Sequence, residues 1–180
     1  GCSALSEGPL ALANWGVVPC LLEYDQMVSR AKYSHEPVLL EEVVHFLQPT
    51  SGGCYVDCTL GAGGHAAAVV HACRPNGEVV ALDRDATAIE AVRNHFSKDL
   101  HRIRFVHSSF RSLPTTLDAL GWDRVDGVLA DLGLSSVQLS DASRGFSFAG
   151  EGPLDMRFDV TGSEDSALEL VNEASEGELK

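Results

Sequence analysis

Four short strand-like runs, separated by helix-length segments, constrain this chain more than any other feature of its sequence. They are Cys54–Thr59, Glu78–Asp83, Arg102–His107 and Val125–Ala130. Runs of this length, bounded by turn residues, read as strands. The stretches between them carry helical periodicity. Gly64–Cys73 is rich in alanine and stops at Arg74-Pro75-Asn76-Gly77. Asp85 can cap a helix whose Ala86, Ile89, Val92 and Phe96 share one face. Leu113, Leu117 and Leu120 mark a further helix, closed by Gly121. Ahead of the first strand, Leu40, Val43, Val44 and Leu47 recur at helical spacing, with Pro37 near the first turn and Gln48-Pro49 closing it.

Strand–helix alternation predicts an α/β domain with a parallel sheet and helices on both faces. Right-handed crossovers then favour a doubly wound order in which strand 1 lies beside strand 4. Ligands in such sheets bind beyond the C-terminal ends of the strands, where the order reverses. The loops that flank this place are Thr59–His65 and Asp131–Gln138.

Composition narrows the class. Hydrophobic residues are 44% and charged residues 22%, as in ordinary soluble domains. No apolar run approaches the roughly 18–20 residues that a membrane span requires. The five cysteines (Cys2, Cys20, Cys54, Cys58 and Cys73) form no C-x-x-C pair, so metal-ligand spacing is absent and a reducing compartment fits. A net charge of −13 argues at first sight against a nucleic-acid partner. The distribution of that charge weakens the objection. From Glu151 onward nine acids face only Arg157 and Lys180, contributing −7 of the −13. The middle of the chain is locally basic through Arg93, Lys98, Arg102, Arg104 and Arg111, residues that also suit a solvated surface.

The loop Gly61-Ala62-Gly63-Gly64-His65 has two readings. As Gly61-x-Gly63-x-x-Ala66 it fits a dinucleotide fingerprint, with Asp83 placed 20 residues after Gly63 for a ribose. Two features tilt it toward methyl transfer: Asp57 ahead of the glycines, and Asp131 followed by Gly133 and Ser135-Ser136. The latter segment offers no His, Lys or Tyr as the proton donor that a nicotinamide enzyme needs.

The motifs stand in a recognisable order. They are His35-Glu36-Pro37-Val38-Leu39-Leu40, Asp57-Cys58-Thr59-Leu60-Gly61-Ala62-Gly63-Gly64-His65 and Ala81-Leu82-Asp83-Arg84-Asp85. Asp126 to Leu139, Arg144-Gly145-Phe146-Ser147-Phe148 and Gly152-Pro153-Leu154-Asp155-Met156-Arg157 complete the series. From about His35 to Asp159 the chain resembles the RsmH (MraW) family, which methylates the N4 amine of a cytosine in small-subunit ribosomal RNA. The resemblance implies a Rossmann-like class I methyltransferase sheet and S-adenosylmethionine as cofactor; the cysteine spacing and the short apolar runs lead to the expectation of no metal and no membrane. By the same resemblance Gly63, Gly64 and His65 contact the methionine end of the cofactor, and Asp83 takes the ribose hydroxyls. Phe110 lies beside the adenine, and Asp131 and Gln138 close the pocket.

Bland alternatives stand beside these roles. His65 can simply begin a helix, Phe110 can be core, and Asp57 can bond backbone amides of the loop. Arg144 and Arg157 are surface charges, loop-ordering groups or RNA-facing groups. For the chemistry, Asp131 is the expected acceptor at the amine, with Ser135 second. Phe146 or Phe148 is expected to support a cytosine taken out of its stack.

The expected organisation is an irregular lead-in over residues 1–33 and a cofactor-binding core over 34–150. Residues 151–180 are expected to open an inserted substrate region that is cut short. Strands 1–4 alone leave the sheet incomplete, so a fragment with weak or no RNA methylation of its own is expected. An NAD-binding oxidoreductase and a catalytically inactive interaction module remain as alternatives. The family acts where ribosomes of bacterial type are made, so the bacterial cytoplasm, a mitochondrion or a plastid is expected.

Overall fold

A computed structural model describes residues 37–179. The expected lead-in, the motif residues His35 and Glu36, and Cys2 and Cys20 fall outside this range. Within it, β1 (Cys54–Asp57), β2 (Glu78–Asp83), β3 (Ile103–His107) and β4 (Gly127–Leu129) form one sheet in the order β3-β2-β1-β4. Every pairing is parallel, with Val56 opposite Val80 on one side and Val128 on the other. The order reverses between β1 and β4, as the alternation predicts.

Side chains alternate across the strands because the strand period is two. Tyr55, Val79, Ala81 and Ile103 face a large cluster built with α1 (Leu40–Leu47), α2 (Gly64–Ala72) and α3 (Ala86–Arg93). Val44 is the buried anchor of α1, whereas α2 is apolar nearly all round and buries everything from His65 to His71. Val56, Cys58, Val80 and Leu82 face the opposite side, against Leu113, Leu117 and Leu120 of α4 (Leu113–Leu120) and Trp122. Val80 and Leu82 are fully enclosed, and burial of such side chains is worth about 1.5–3 kcal/mol each.

Local chemistry sets the boundaries. The Asp85 side chain accepts from Thr87 N and caps α3. Gly121 closes α4 at φ 70°, a left-handed conformation that glycine adopts without steric cost. At Gly127 a Cβ would stand 2.7 Å from Leu47 Cδ2, so glycine lets α1 pack over β4.

Contrary to expectation, Val125–Ala130 does not form a buried strand. β4 spans three residues, and Val128 is 48% exposed. Strands of parallel sheets are buried when elements cover both of their faces, and Val128 belongs to neither packed cluster. Among the described residues β4 has only β1 beside it.

After β4 come α5 (Ser136–Ser140) and α6 (Ala167–Glu173), the latter opened by a Ser166–Glu169 capping box. Between them the chain returns to the sheet. His107 Nε2 lies 3.0 Å from Arg84 O and 3.3 Å from Asp159 Oδ2, and Arg84 pairs with Glu164. Phe158 is 5.7 Å from the Arg84 guanidinium and 5.3 Å from the Phe146 ring.

Candidate active site

Beyond the C-terminal ends of β1, β2 and β4 lies a cleft of about 610 Å³. Its walls include the Thr59–His65 loop, Asp83, Phe110 and the Asp131–Gln138 loop. Its volume suits a nucleoside-sized ligand.

The acids that end β1 and β2 build the glycine loop. Asp57 Oδ1 accepts from Thr59 N at 3.0 Å, and Asp83 Oδ2 accepts from Gly61 N at 2.8 Å. The other oxygen of Asp83 accepts from Asp85 N at 2.9 Å. Thr59 Oγ1 accepts in turn from Asp131 N at 2.7 Å, which ties the loop after β1 to the loop after β4. Gly61 and Gly63 adopt φ of 49° and 80°. Around Gly61 no protein atom lies closer than 3.9 Å to the position of a Cβ, so backbone conformation and space for a ligand select glycine there. Gly64 answers a different need, because a Cβ there would collide with the Pro37 ring.

Asp57 is 1% exposed, and its Oδ2 has no partner among the described residues. Burial pushes its carboxyl up to about 6, against the lowering effects of the Thr59 amide and of His65. The structure therefore gives Asp57 the loop-bonding role that the sequence left open.

His65 is buried at the start of α2, with Nε2 2.9 Å from the carbonyl of Val38. Its Nδ1 lies 3.9 Å from Asp131 Oδ2. The Asp131 side chain is 54% exposed on the cleft wall. Phe110 is partly exposed at the start of a single 3-10 turn, and lines the cleft rather than the core.

Ser135 and Gln138 are occupied by their own helix. The Ser135 hydroxyl accepts from Gln138 N at 3.2 Å, and Gln138 Oε1 accepts from Ser135 N at 3.0 Å. Gln138 is 5% exposed, and its Nε2 donates to Asp85 Oδ2 at 3.3 Å. The same Asp85 oxygen accepts from Arg144 Nη1 at 2.7 Å. Burial raises the Asp85 carboxyl, but hydrogen bonds from Thr87, Arg144 and Gln138 outweigh it and hold it below the usual range.

This hub was not legible as a unit. The sequence offers Asp85 as a cap, Gln138 as a pocket residue and Arg144 with three readings, whereas the three side chains meet in the interior. Arg144 also donates to the carbonyls of Arg157 and Phe158 at 3.1 and 3.0 Å, so it orders the returning chain and is no surface charge. Arg157 grips Asp155 with two donors at 3.0 and 2.7 Å, holding that carboxyl down at about 2. Phe146 is buried against Phe158 and cannot stack on a base, which corrects one of the two aromatic expectations. Phe148 is fully exposed. Arg84 and Phe158 also line the cleft; the sequence assigns Arg84 no role within its motif, and an isolated phenylalanine carries no pattern.

Three of the five basic residues in the middle of the chain are engaged by neighbours. Arg102 is buried against Asp99 and Gly77 O, Arg104 pairs with Glu78, and Arg93 lies over Phe105. Among the described residues no group of His, Cys, Asp and Glu could hold a metal ion, and no helix is long and apolar enough to cross a membrane.

The model of the MraW methylase family matches residues 32–180. A protein named ribosomal RNA small subunit methyltransferase H, from Nitratidesulfovibrio vulgaris, is 47% identical over 152 residues, covering 84% of this chain and 42% of that protein. A relative of the same name from Pelobacter propionicus is 47% identical over 151 residues, covering 83% of this chain and 48% of its own length. The chain thus spans less than half the length of these relatives. Among solved structures, a SAM-dependent O-methyltransferase from Thermotoga maritima superposes with a TM-score of 0.48 at 16% identity, covering 61% of this chain and 40% of that one.

Proposed function

The chain belongs to the MraW methylase family, and on that premise we propose that it supplies the cofactor-binding half of an S-adenosylmethionine-dependent ribosomal RNA methyltransferase. The acceptor in this proposal is the N4 amine of a cytosine in small-subunit ribosomal RNA. Residues 34–150 form the cofactor core, and residues 151–180 begin the substrate side. The observation that carries the proposal is the convergence of Gly63, His65, Asp83, Phe110 and Asp131 on one cleft where the sheet order reverses.

The residues present suit the cofactor. Asp83 spends one backbone hydrogen bond on each oxygen and keeps lone pairs for two ribose hydroxyls. Phe110 offers an exposed ring to adenine. Gly63, Gly64 and His65 bound the methionine end, and the Gln138 amide holds the far wall by bonding Asp85 and Ser135. When bound, S-adenosylmethionine supplies an electrophilic methyl group on a sulfonium.

The chain's own contribution is to hold and orient the acceptor. A cytosine amine is a poor nucleophile because its lone pair is conjugated with the ring. Alignment within a closed site supplies effective molarities that reach ~10⁵ M or more. The half-exposed Asp131 carboxylate is placed to accept a hydrogen bond from the amine and to offset the positive charge that develops there. Ser135 is the second candidate, although its oxygen already caps α5.

Thermal unfolding with added ligand tests the cofactor reading and separates it from the nicotinamide alternative. S-adenosylhomocysteine at ~100 times its dissociation constant stabilises by about 2.7 kcal/mol, a rise of roughly 5–10 °C for a domain of this size. NAD is expected to leave the transition unchanged. Stabilisation by NAD alone would overturn the proposal, and silence from both ligands would favour an inactive interaction module. Transfer of labelled methyl to small-subunit RNA, mapped to a cytosine N4, tests the acceptor.

A further inference from the structure

We propose that His65 and Asp131 together form the site that receives the proton released by methyl transfer; this rests on the cofactor reading above. The tautomer of His65 follows from its surroundings. A carbonyl oxygen can only accept, so the 2.9 Å contact with Val38 O requires the hydrogen on Nε2. Nδ1 then carries a lone pair, and that lone pair faces a carboxylate oxygen at 3.9 Å. Two acceptors face each other with no hydrogen between them, which accounts for a gap too long for a hydrogen bond. One added proton converts this arrangement into an imidazolium–carboxylate pair. His65 is buried while Asp131 is half exposed, so the proton enters and leaves along the Asp131 side.

The charged groups placed around His65 come from three elements. Asp131 faces it from the loop after β4, and Asp57 interacts with it from β1. Asp83 stands across the glycine loop, bonded to Gly61 N. These three neighbours are all acids.

The reaction releases one proton, and this pair is placed to take it. As the N–C bond forms from the nitrogen lone pair, the methyl–sulfur bond breaks and its electron pair stays on sulfur, which becomes neutral. The amine nitrogen becomes positive and gives up one hydrogen as a proton. The Asp131 carboxylate is the first acceptor, and Nδ1 of His65 holds the proton beside it. The positive charge thus stays within one cleft and passes from sulfonium to imidazolium. A sulfonium and an imidazolium repel each other in one cleft, so in this proposal the pair takes the proton only as the sulfonium charge is lost.

Proton linkage of ligand binding tests this without turnover. S-adenosylmethionine and S-adenosylhomocysteine differ only by the methyl group and its charge. Calorimetric titration near pH 7, in phosphate and in Tris, reads protons exchanged on binding from the difference in buffer ionisation heat. Net uptake is expected to be greater for S-adenosylhomocysteine by a measurable fraction of a proton. The variant H65Q keeps a donor for the Val38 carbonyl but has no titrating nitrogen, and is expected to abolish this difference. D131N is expected to shrink it. Equal proton exchange for both ligands in the unmodified chain, or a difference that survives H65Q, would overturn the proposal alone. Absence of binding by both ligands would overturn the cofactor reading and this proposal together.

Discussion

Single residues around the cleft act through environment rather than identity. Asp57 and Asp83 both end strands and both accept from loop amides, yet only Asp57 is fully enclosed with an oxygen left over. A carboxyl raised from 3.8 to about 6 contributes stability below pH 4 that is lost as pH rises through 6. The ionised carboxylate therefore costs on the order of 3 kcal/mol at neutral pH. Asp57→Asn keeps an acceptor for Thr59 N, so its gain in stability over the unmodified chain is expected to be larger at pH 7.5 than at pH 4.5. Urea titrations at the two pH values measure this, and an equal gain at both would contradict it. Phe110→Ala removes the exposed ring, and loss of stacking worth about 1–3 kcal/mol weakens S-adenosylhomocysteine binding between five-fold and a hundred-fold. Calorimetry reads this directly. Phe146→Ala, in contrast, is expected to lower stability, because that ring is packed inside.

At the scale of elements, short helices serve as braces. α5 has only five residues, too few to persist alone. Its capping box and the Gln138–Asp85 bond fix it over the cleft. Ser135→Ala breaks the box, and a loss of about 1 kcal/mol in unfolding free energy is expected. Weaker cofactor binding without that loss of stability would instead mark Ser135 as a ligand contact. The returning chain depends on backbone approach at Gly145, which has φ 75° and where a Cβ would collide with the carbonyl of Pro153. Gly145→Ala is expected to release residues 145–164 from the sheet, seen as faster amide exchange there while β1 and β2 stay protected.

For the whole molecule, the asymmetry of the sheet is the dominant property. β1 and β2 are closed on both faces, whereas β4 presents Val128 and an edge that no described strand pairs. Such an edge invites association. The chain is expected to self-associate as its concentration rises, by light scattering, and Val128→Lys is expected to suppress this with little loss of stability. An unchanged scattering profile would show that another surface is responsible.

Periodicity and punctuation were sufficient for most of the elements. The bounds of β2, the end of α4 at Gly121 and the capping of α3 by Asp85 are all local, carried by residues within a turn of one another. Strand order followed as well, because handedness and alternation leave few topologies. Ordered motifs then pointed to the family and to a cleft lined by Asp83, Phe110 and Asp131. What the tertiary structure decided is who meets whom. Arg144 reaches Asp85 across 59 positions and Gln138 reaches it across 53, so no spacing in the sequence could separate a buried clamp from a surface charge. The tautomer of His65 likewise depends on a carbonyl 27 positions away. Local signals set backbone conformation, whereas burial and hydrogen-bond partnership arise only when distant segments compete for the same space.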